Sequence, residues 1–269
     1  MTLTTAPDHV AEGYDCLAPF YDRFTAGYAY DRWLAAIENR AGALGLRGRR
    51  ALDIACGTGK STEPLIARGY SVAACDISRR MLEQARRKLP IHAGAFFPAD
   101  MRELPQIGQF DLVVCLDDAI NYLLSGEELE ATFAGVARVL APGGVFAFDV
   151  NSLLTYRTAF AETAVRQAEG VRFIWRGEAP SSLRPRATAS ASVDILTERE
   201  DGEWERRTMR HRQRHHPPEA IYAALRRAGL SCRATFGQYR GARLEHRVDE
   251  ARHIKLVHFA QRDTDTSGR

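Results

Sequence analysis

No stretch of this chain stays apolar for the roughly 20 residues that a bilayer demands, and its first residues carry no basic, apolar and small-residue leader. Neither a spanning helix nor secretion is expected, and a soluble, cytoplasmic protein is the expectation. Cysteine is sparse and unpaired in pattern. Cys16, Cys56, Cys75, Cys115 and Cys232 form no C-x-x-C, which argues for buried reduced thiols over zinc or a disulfide framework. Excess charge of one sign is missing too: 37 basic residues against 34 acidic leave +3, which neither demands nor excludes a polyanionic partner. There is no repeat and no long linker. What remains is 269 residues, 45% hydrophobic, enough for one large domain or a domain carrying an insertion.

The most informative stretch runs from Ala51 to Asp76. A short apolar run interrupted by Asp53 leads to Gly57-Thr58-Gly59, a turn where the missing Cβ lets backbone pass close to a ligand. A helix is expected from about Ser61 to Arg68, ended by Gly69, then a second strand from Ser71 to Cys75 with Asp76 at its carboxyl end. Strand, glycine turn, helix, strand and acid make a nucleotide-binding half of a doubly wound sheet, with the acid beside a ribose. Gly59-Lys60-Ser61 imitates the end of a P-loop, but that loop needs glycine where Ile54 stands. A dinucleotide turn needs a third glycine where Thr62 stands, which disfavours nicotinamide and flavin without removing them.

The string Leu52-Asp53-Ile54-Ala55-Cys56-Gly57-Thr58-Gly59, followed by Asp76, resembles the first motif of class I S-adenosylmethionine-dependent methyltransferases. That family usually has acid-x-Gly-x-Gly-x-Gly, and Ala55 replaces the first glycine, a small change that keeps the turn open. The run from Arg138 to Val150, RVLAPGGVFAFDV, resembles the family's passage from fourth helix to fifth strand, so the likeness covers about Leu52 to Val150. It implies S-adenosyl-L-methionine as cofactor. By the same resemblance Asp53, Ala55, Cys56, Gly57, Thr58 and Gly59 hold its methionine part, and Asp76 holds the ribose diol beside Ile77 and Met81. Asp100 and Met101 form an adenine clamp, with Leu116 and Asp117 at the end of the fourth strand completing the pocket. Asp100 has a plainer use as the cap of the next turn.

The fold expected is α/β: a doubly wound, mostly parallel seven-stranded sheet with an inserted antiparallel β layer. Residues 46–150 and 217–262 form the cofactor-binding core, 1–45 a helical lid, 151–216 the inserted cover and 263–269 a disordered tail. Tyr14, Phe20, Tyr21, Phe24, Tyr28, Tyr30 and Trp33 crowd the first segment. A similar segment in small-molecule methyltransferases folds over the cofactor, where phenol rings can surround a sulfonium. From Val171 to His216 the text alternates like strands, with Asp201-Gly202 as a hairpin turn. On its last strand Met209, His211, Gln213 and His215 share one face, opposite Arg210, Arg212, Arg214 and His216. The arginine face is expected in solvent and the histidine face inward. A single basic strand lacks the wide stripe and stacking aromatics of a nucleic-acid site. His211-x-x-x-His215 has no nameable third ligand, so no metal is expected.

The function expected is transfer of the sulfonium methyl to an amine or hydroxyl of a small metabolite, by in-line displacement. Tyr14, Tyr21, Asn121, Tyr122, His211 and His215 are the candidates for positioning or proton removal. An NAD(P)-dependent oxidoreductase and a non-catalytic S-adenosylmethionine-binding module stay as alternatives, and whether the chain forms a homodimer stays open.

Overall fold

The structure, a computed structural model, describes residues 9–263. Three helices open it, α1 (His9–Leu17), α2 (Tyr21–Phe24) and α3 (Tyr30–Ala43). Strands and helices then alternate: β1 (Arg50–Ile54), α4 (Thr62–Ala67), β2 (Ser71–Asp76), α5 (Arg79–Lys88), β3 (Phe96–Pro98), β4 (Phe110–Cys115), α6 (Gly126–Val139) and β5 (Leu140–Asn151). Helix α7 (Leu153–Arg157) leads into β6 (Thr163–Ala168), β7 (Val171–Gly177), β8 (Thr188–Glu198) and β9 (Trp204–Arg214). The chain closes with α8 (Pro218–Arg227), β10 (Leu230–Gln238), β11 (Leu244–Glu245) and β12 (Lys255–Arg262).

The main sheet has the order β11-β10-β12-β5-β4-β1-β2-β3. Strands β1 to β5 run parallel, and β12 lies antiparallel to β5. These are the seven strands expected, with the two-residue β11 added at one edge. The strand order reverses between β1 and β4, so their carboxyl ends splay apart and leave a crevice there. Central strands must be apolar on both faces, and Leu112 to Cys115 and Val145 to Val150 are buried throughout. Helices α5 and α6 start where a side chain satisfies their free N–H groups. Ser78 accepts from Met81 N–H (3.1 Å), and Ser125 with Glu128 forms a full capping box on α6.

The inserted layer is a separate four-stranded sheet, β6-β7-β8-β9, antiparallel throughout. Sequence pattern shows β7, β8 and β9 but not β6, whose first five residues are all exposed and so carry no alternation. The β6–β7 turn, Glu169-Gly170, has both residues left-handed (φ 45° and 77°), the conformation that suits a two-residue hairpin. The β8–β9 connection is wider than Asp201-Gly202 alone, since pairing stops at Glu198 and Trp204. Met209, His211 and Gln213 are buried and Arg210 and Arg212 exposed, as period-two alternation requires.

The first 45 residues do not behave as one element. Residues 1–8 lie outside the described residues. Leu17 of α1 packs with Val171, Phe173, Val193, Ile195 and Met209 on the inner face of the inserted sheet, and Phe20 and Phe24 lean on the same cluster. Helix α3 instead buries Trp33, Leu34, Ile37 and Ala41 against the main sheet. At the other end Asp263 is placed, its N–H donating to the Gly229 carbonyl (3.0 Å), and residues 264–269 of the expected tail lie outside the described residues.

Candidate active site

Two carboxylates build the turn after β1. Asp53, fully buried in the strand, accepts at Oδ2 from the hydroxyls of Ser61 (2.7 Å) and Thr62 (2.6 Å), pinning the start of α4. The threonine at the dinucleotide-glycine position thus has a structural use of its own. Asp53 Oδ1 is buried with no hydrogen-bond partner. Burial pushes this carboxyl up to about 6, against the pull of the two hydroxyls. The backbone then turns left-handed at Ala55 (φ 56°), Gly57 (φ 55°) and Gly59 (φ 80°). Asp76 closes the turn: its Oδ2 accepts from Gly57 N–H and its Oδ1 from Ser78 N–H, each at 2.8 Å. Burial raises Asp76 to about 6, despite those two N–H groups.

Over this turn lies a cavity of about 50 Å³ at the reversal point of the sheet. Ile54 and Ala55 from the end of β1, Ile77, Met101 and Val10 of α1 line it. Asp100 and Tyr122 supply polar edges. Asp100 caps the turn that follows, accepting from Arg102 N–H (2.8 Å), and it also holds the Arg102 guanidinium (Nη2 to Oδ2, 2.6 Å). Of the other pocket candidates, Cys56 packs with Ala74 and Leu82, Leu116 packs with the α3 side of the core, and Met81 is fully buried in α5; none lines this cavity. Thr58 donates to Asp22 Oδ1 (2.5 Å), and Lys88 Nζ reaches Asp22 Oδ2 (2.8 Å), so the turn is tied to α2.

Beside the cavity a chain of hydroxyls leads to the inserted sheet. Tyr14 donates to the Tyr122 oxygen (2.9 Å), which lies 2.5 Å from His211 Nδ1. With the Tyr122 proton directed to Nδ1 the imidazole proton sits on Nε2, the tautomer consistent with Tyr14 donating to Tyr122. Burial pushes the Tyr14 and Tyr122 phenols well above their ordinary range and lowers His211 to about 4, so all three are neutral near pH 7. The Tyr21 ring stands edge-on to Tyr14, centroids 6.3 Å apart. Asn121 and His215 have bonds of their own. Asn121 accepts from Asn151 N–H (2.8 Å) and donates to the Arg214 carbonyl (2.9 Å). His215 falls one residue past β9, accepts from Arg186 N–H (3.2 Å) and donates to Glu250 (2.8 Å). The structure therefore groups Tyr14, Tyr21, Tyr122 and His211.

Sequence reasoning missed the charge cluster at the ends of β4, β5 and β12. Asp117 and Asp118 are both left-handed (φ 62° and 56°), and Asp149 holds them so by accepting both their N–H groups (2.7 and 2.9 Å). Lys255 Nζ lies 2.8 Å from Asp117, 2.8 Å from Asp118 and 2.9 Å from Asp149. Burial by itself would lower this ammonium, but three carboxylates outweigh it and raise it well above the usual range. The two adjacent acids share the ammonium and each has a further partner. Asp117 accepts from the Tyr30 hydroxyl (2.9 Å) and Asp118 from Gln213 Nε2 (2.6 Å). A signal existed: Asp149 is an acid inside an apolar strand, just as Asp53 is.

These features fit S-adenosylmethionine: an unpaired buried oxygen on Asp53, a carboxylate at the end of β2, and an apolar slot between Ile54, Ile77 and Met101. Residues 51–144 match the methyltransferase domain family. YqeM of Bacillus subtilis (strain 168), named as a methyltransferase, is 34% identical over 224 residues, 81% of this chain and 86% of its own. The dTDP-3-amino-3,4,6-trideoxy-alpha-D-glucopyranose N,N-dimethyltransferase of Streptomyces venezuelae is 35% identical over 134 residues, 48% of this chain and 54% of its own. Among solved structures, an S-adenosylmethionine-dependent methyltransferase from Clostridium acetobutylicum ATCC 824 superposes with a TM-score of 0.76 at 24% identity. It covers 93% of this chain and 99% of that one. The chain belongs to the class I S-adenosylmethionine-dependent methyltransferases, and its cofactor is S-adenosylmethionine.

Proposed function

We propose that this enzyme methylates the nitrogen of a small-molecule amine. The observation that carries the reading is the proton order along Tyr14, Tyr122 and His211. Each phenol proton is already directed to the next group, so the Tyr14 oxygen keeps only its acceptor capacity. An amine N–H or a hydroxyl O–H can donate to such an oxygen. A hydroxyl, however, needs a base to become nucleophilic, and a neutral phenol whose proton is committed is none, whereas a neutral amine attacks through its lone pair without one. Bound at the turn and cavity, S-adenosylmethionine supplies an electrophilic methyl group on a positively charged sulfur. Asp53, Asp76 and the left-handed turn would hold it, with Ile77, Asp100 and Met101 around its base.

The rest is alignment and exclusion of water. Tyr21 and Tyr14 offer ring faces to a cation. Asp117, Asp118 and Asp149 outnumber Lys255, so this end of the sheet favours positive over negative ligands. The amino-sugar dimethyltransferase relative supports an amine. The reading includes a cytoplasmic location, supported by five free cysteines. Among the described residues no helix is long and apolar enough to cross a membrane. The test is incubation with methyl-labelled cofactor and a mixed panel of amines and alcohols, with products located by mass spectrometry. N-methyl products whose yield falls in Tyr14→Phe are expected, whereas methylation of hydroxyls alone would sink the proposal.

A further inference from the structure

The inserted sheet turns two polar side chains of β9 inward ahead of its end, His211 and Gln213. Both polar ends of Gln213 are already engaged within the protein. Its Nε2 donates to Asp118 (2.6 Å), and its Oε1 accepts from Asn151 Nδ2 (3.0 Å) and the Tyr156 hydroxyl (3.2 Å). His211 is different. Nδ1 takes the Tyr122 proton, while Nε2 is buried and has no partner, on a side chain that is only 6% exposed. A buried N–H left without an acceptor keeps the full penalty of its lost hydration. The rings packed on this imidazole, Trp175 at 5.1 Å and Tyr14 at 6.2 Å between centroids, do not supply the missing acceptor. The Trp175 indole N–H, which could not accept in any case, is used on the Ala159 carbonyl.

We infer that the methyl acceptor carries a hydroxyl or ether oxygen close to its amine, and that His211 Nε2–H is the group that binds this oxygen. The inference rests on the amine reading above and narrows it to amines that are also polyols or sugars. An oxygen is required because Nε2–H is a donor and wants a lone pair. A neutral oxygen is favoured over a carboxylate because the neighbouring ends of β4 and β5 already hold three carboxylates against one ammonium. A neutral imidazole also grips a hydroxyl without adding a buried charge. His211 thus acts on specificity: it touches the acceptor away from the reacting nitrogen, while Tyr14 and Tyr122 face the nitrogen itself.

The experiment pairs amines on six-membered rings with and without oxygen, using the full chain and methyl-labelled S-adenosylmethionine. The probes are 3-amino-3-deoxyglucose and 2-amino-2-deoxyglucose against cyclohexylamine. A buried donor left unpaired by the carbocycle predicts kcat/KM higher for the amino sugars by about 10-fold or more. In His211→Phe the gap should close to within about 3-fold, with cofactor affinity unchanged by calorimetry. A second readout does not depend on the variant folding. In wild-type enzyme loaded with S-adenosylhomocysteine, the His211 Nε2–H resonance should shift with the amino sugars and stay put with cyclohexylamine. Equal use of both amine classes, an unchanged gap in His211→Phe, or a resonance that ignores the amino sugars overturns the inference and leaves N-methylation standing. Methylation of neither class overturns the amine reading as well.

Discussion

Lys255 and Asp149 stand 2.9 Å apart on neighbouring antiparallel strands, β12 and β5. That pairing is what lets Asp149 hold Asp117 and Asp118 left-handed at the mouth of the site. Left-handed non-glycine residues are costly, and a run of two persists only where the surroundings over-determine it. Burial pushes Asp149 up to about 6, a sign of how much the cluster depends on its one cation.

Removing that cation should therefore be expensive. Lys255→Met leaves one buried and two partly buried carboxylates without their counter-charge and is expected to cost about 3–5 kcal/mol, with Lys255→Arg losing much less. Urea unfolding of both variants measures this. A Lys255→Met protein as stable as wild type would mean that the carboxylates are protonated in the native state.

Cofactor affinity should depend on pH through Asp76. Its carboxyl titrates near 6 in the folded chain, so the ionised form that accepts from a ribose diol prevails above that value and is lost below it. Affinity is expected to be greatest above pH 6 and to fall by up to about tenfold per unit below, since each unit adds 1.4 kcal/mol of deprotonation cost. Asp76→Asn keeps one oxygen for the turn, so the fold should survive. Calorimetry should show binding weaker by about 1–3 kcal/mol at pH 8, and a smaller acid step.

The turn itself carries a correctable strain. Ala55 adopts φ 56°, where a Cβ costs roughly 1–2 kcal/mol. Glycine relieves this but loses about 0.5–1 kcal/mol to chain entropy. Ala55→Gly should raise the unfolding free energy by up to about 1 kcal/mol, visible as a higher urea midpoint at constant slope. A lower midpoint would show that the alanine methyl packs well enough to outweigh its backbone.

Helix α1 is expected to hold the inserted sheet together as well as to cover the cavity. Leu17 is fully buried among Val171, Phe173, Val193, Ile195 and Met209. Leu17→Ala should cost about 2–5 kcal/mol, and amide exchange should quicken in β7, β8 and β9 before it does in β1 and β4. Uniform loss of protection across both sheets would show that the two layers unfold as one.

Much of this molecule could be read from short-range pattern alone. Asp53, the glycine turn and Asp76 lie within one strand-turn-helix-strand unit, where each residue's place in the fold follows from neighbours a few positions away. Period two sufficed to turn His211 inward and Arg212 outward on β9. Other features were beyond that reach, and the reason is chain separation. Lys255 meets Asp117 across 138 residues and Tyr14 meets Tyr122 across 108, contacts that exist only once β12 lies beside β5 and α1 lies over the sheet edge. Strand β6 has no buried face to announce it and is created by pairing with β7. His215 obeys the alternation of β9 on paper, yet the strand stops at Arg214 and tertiary bonds to Arg186 and Glu250 decide where the ring goes. Local propensity sets how each segment folds and which face it buries. Which buried faces meet, and hence which proton and which charge has a partner, is settled by packing between segments that the sequence keeps far apart.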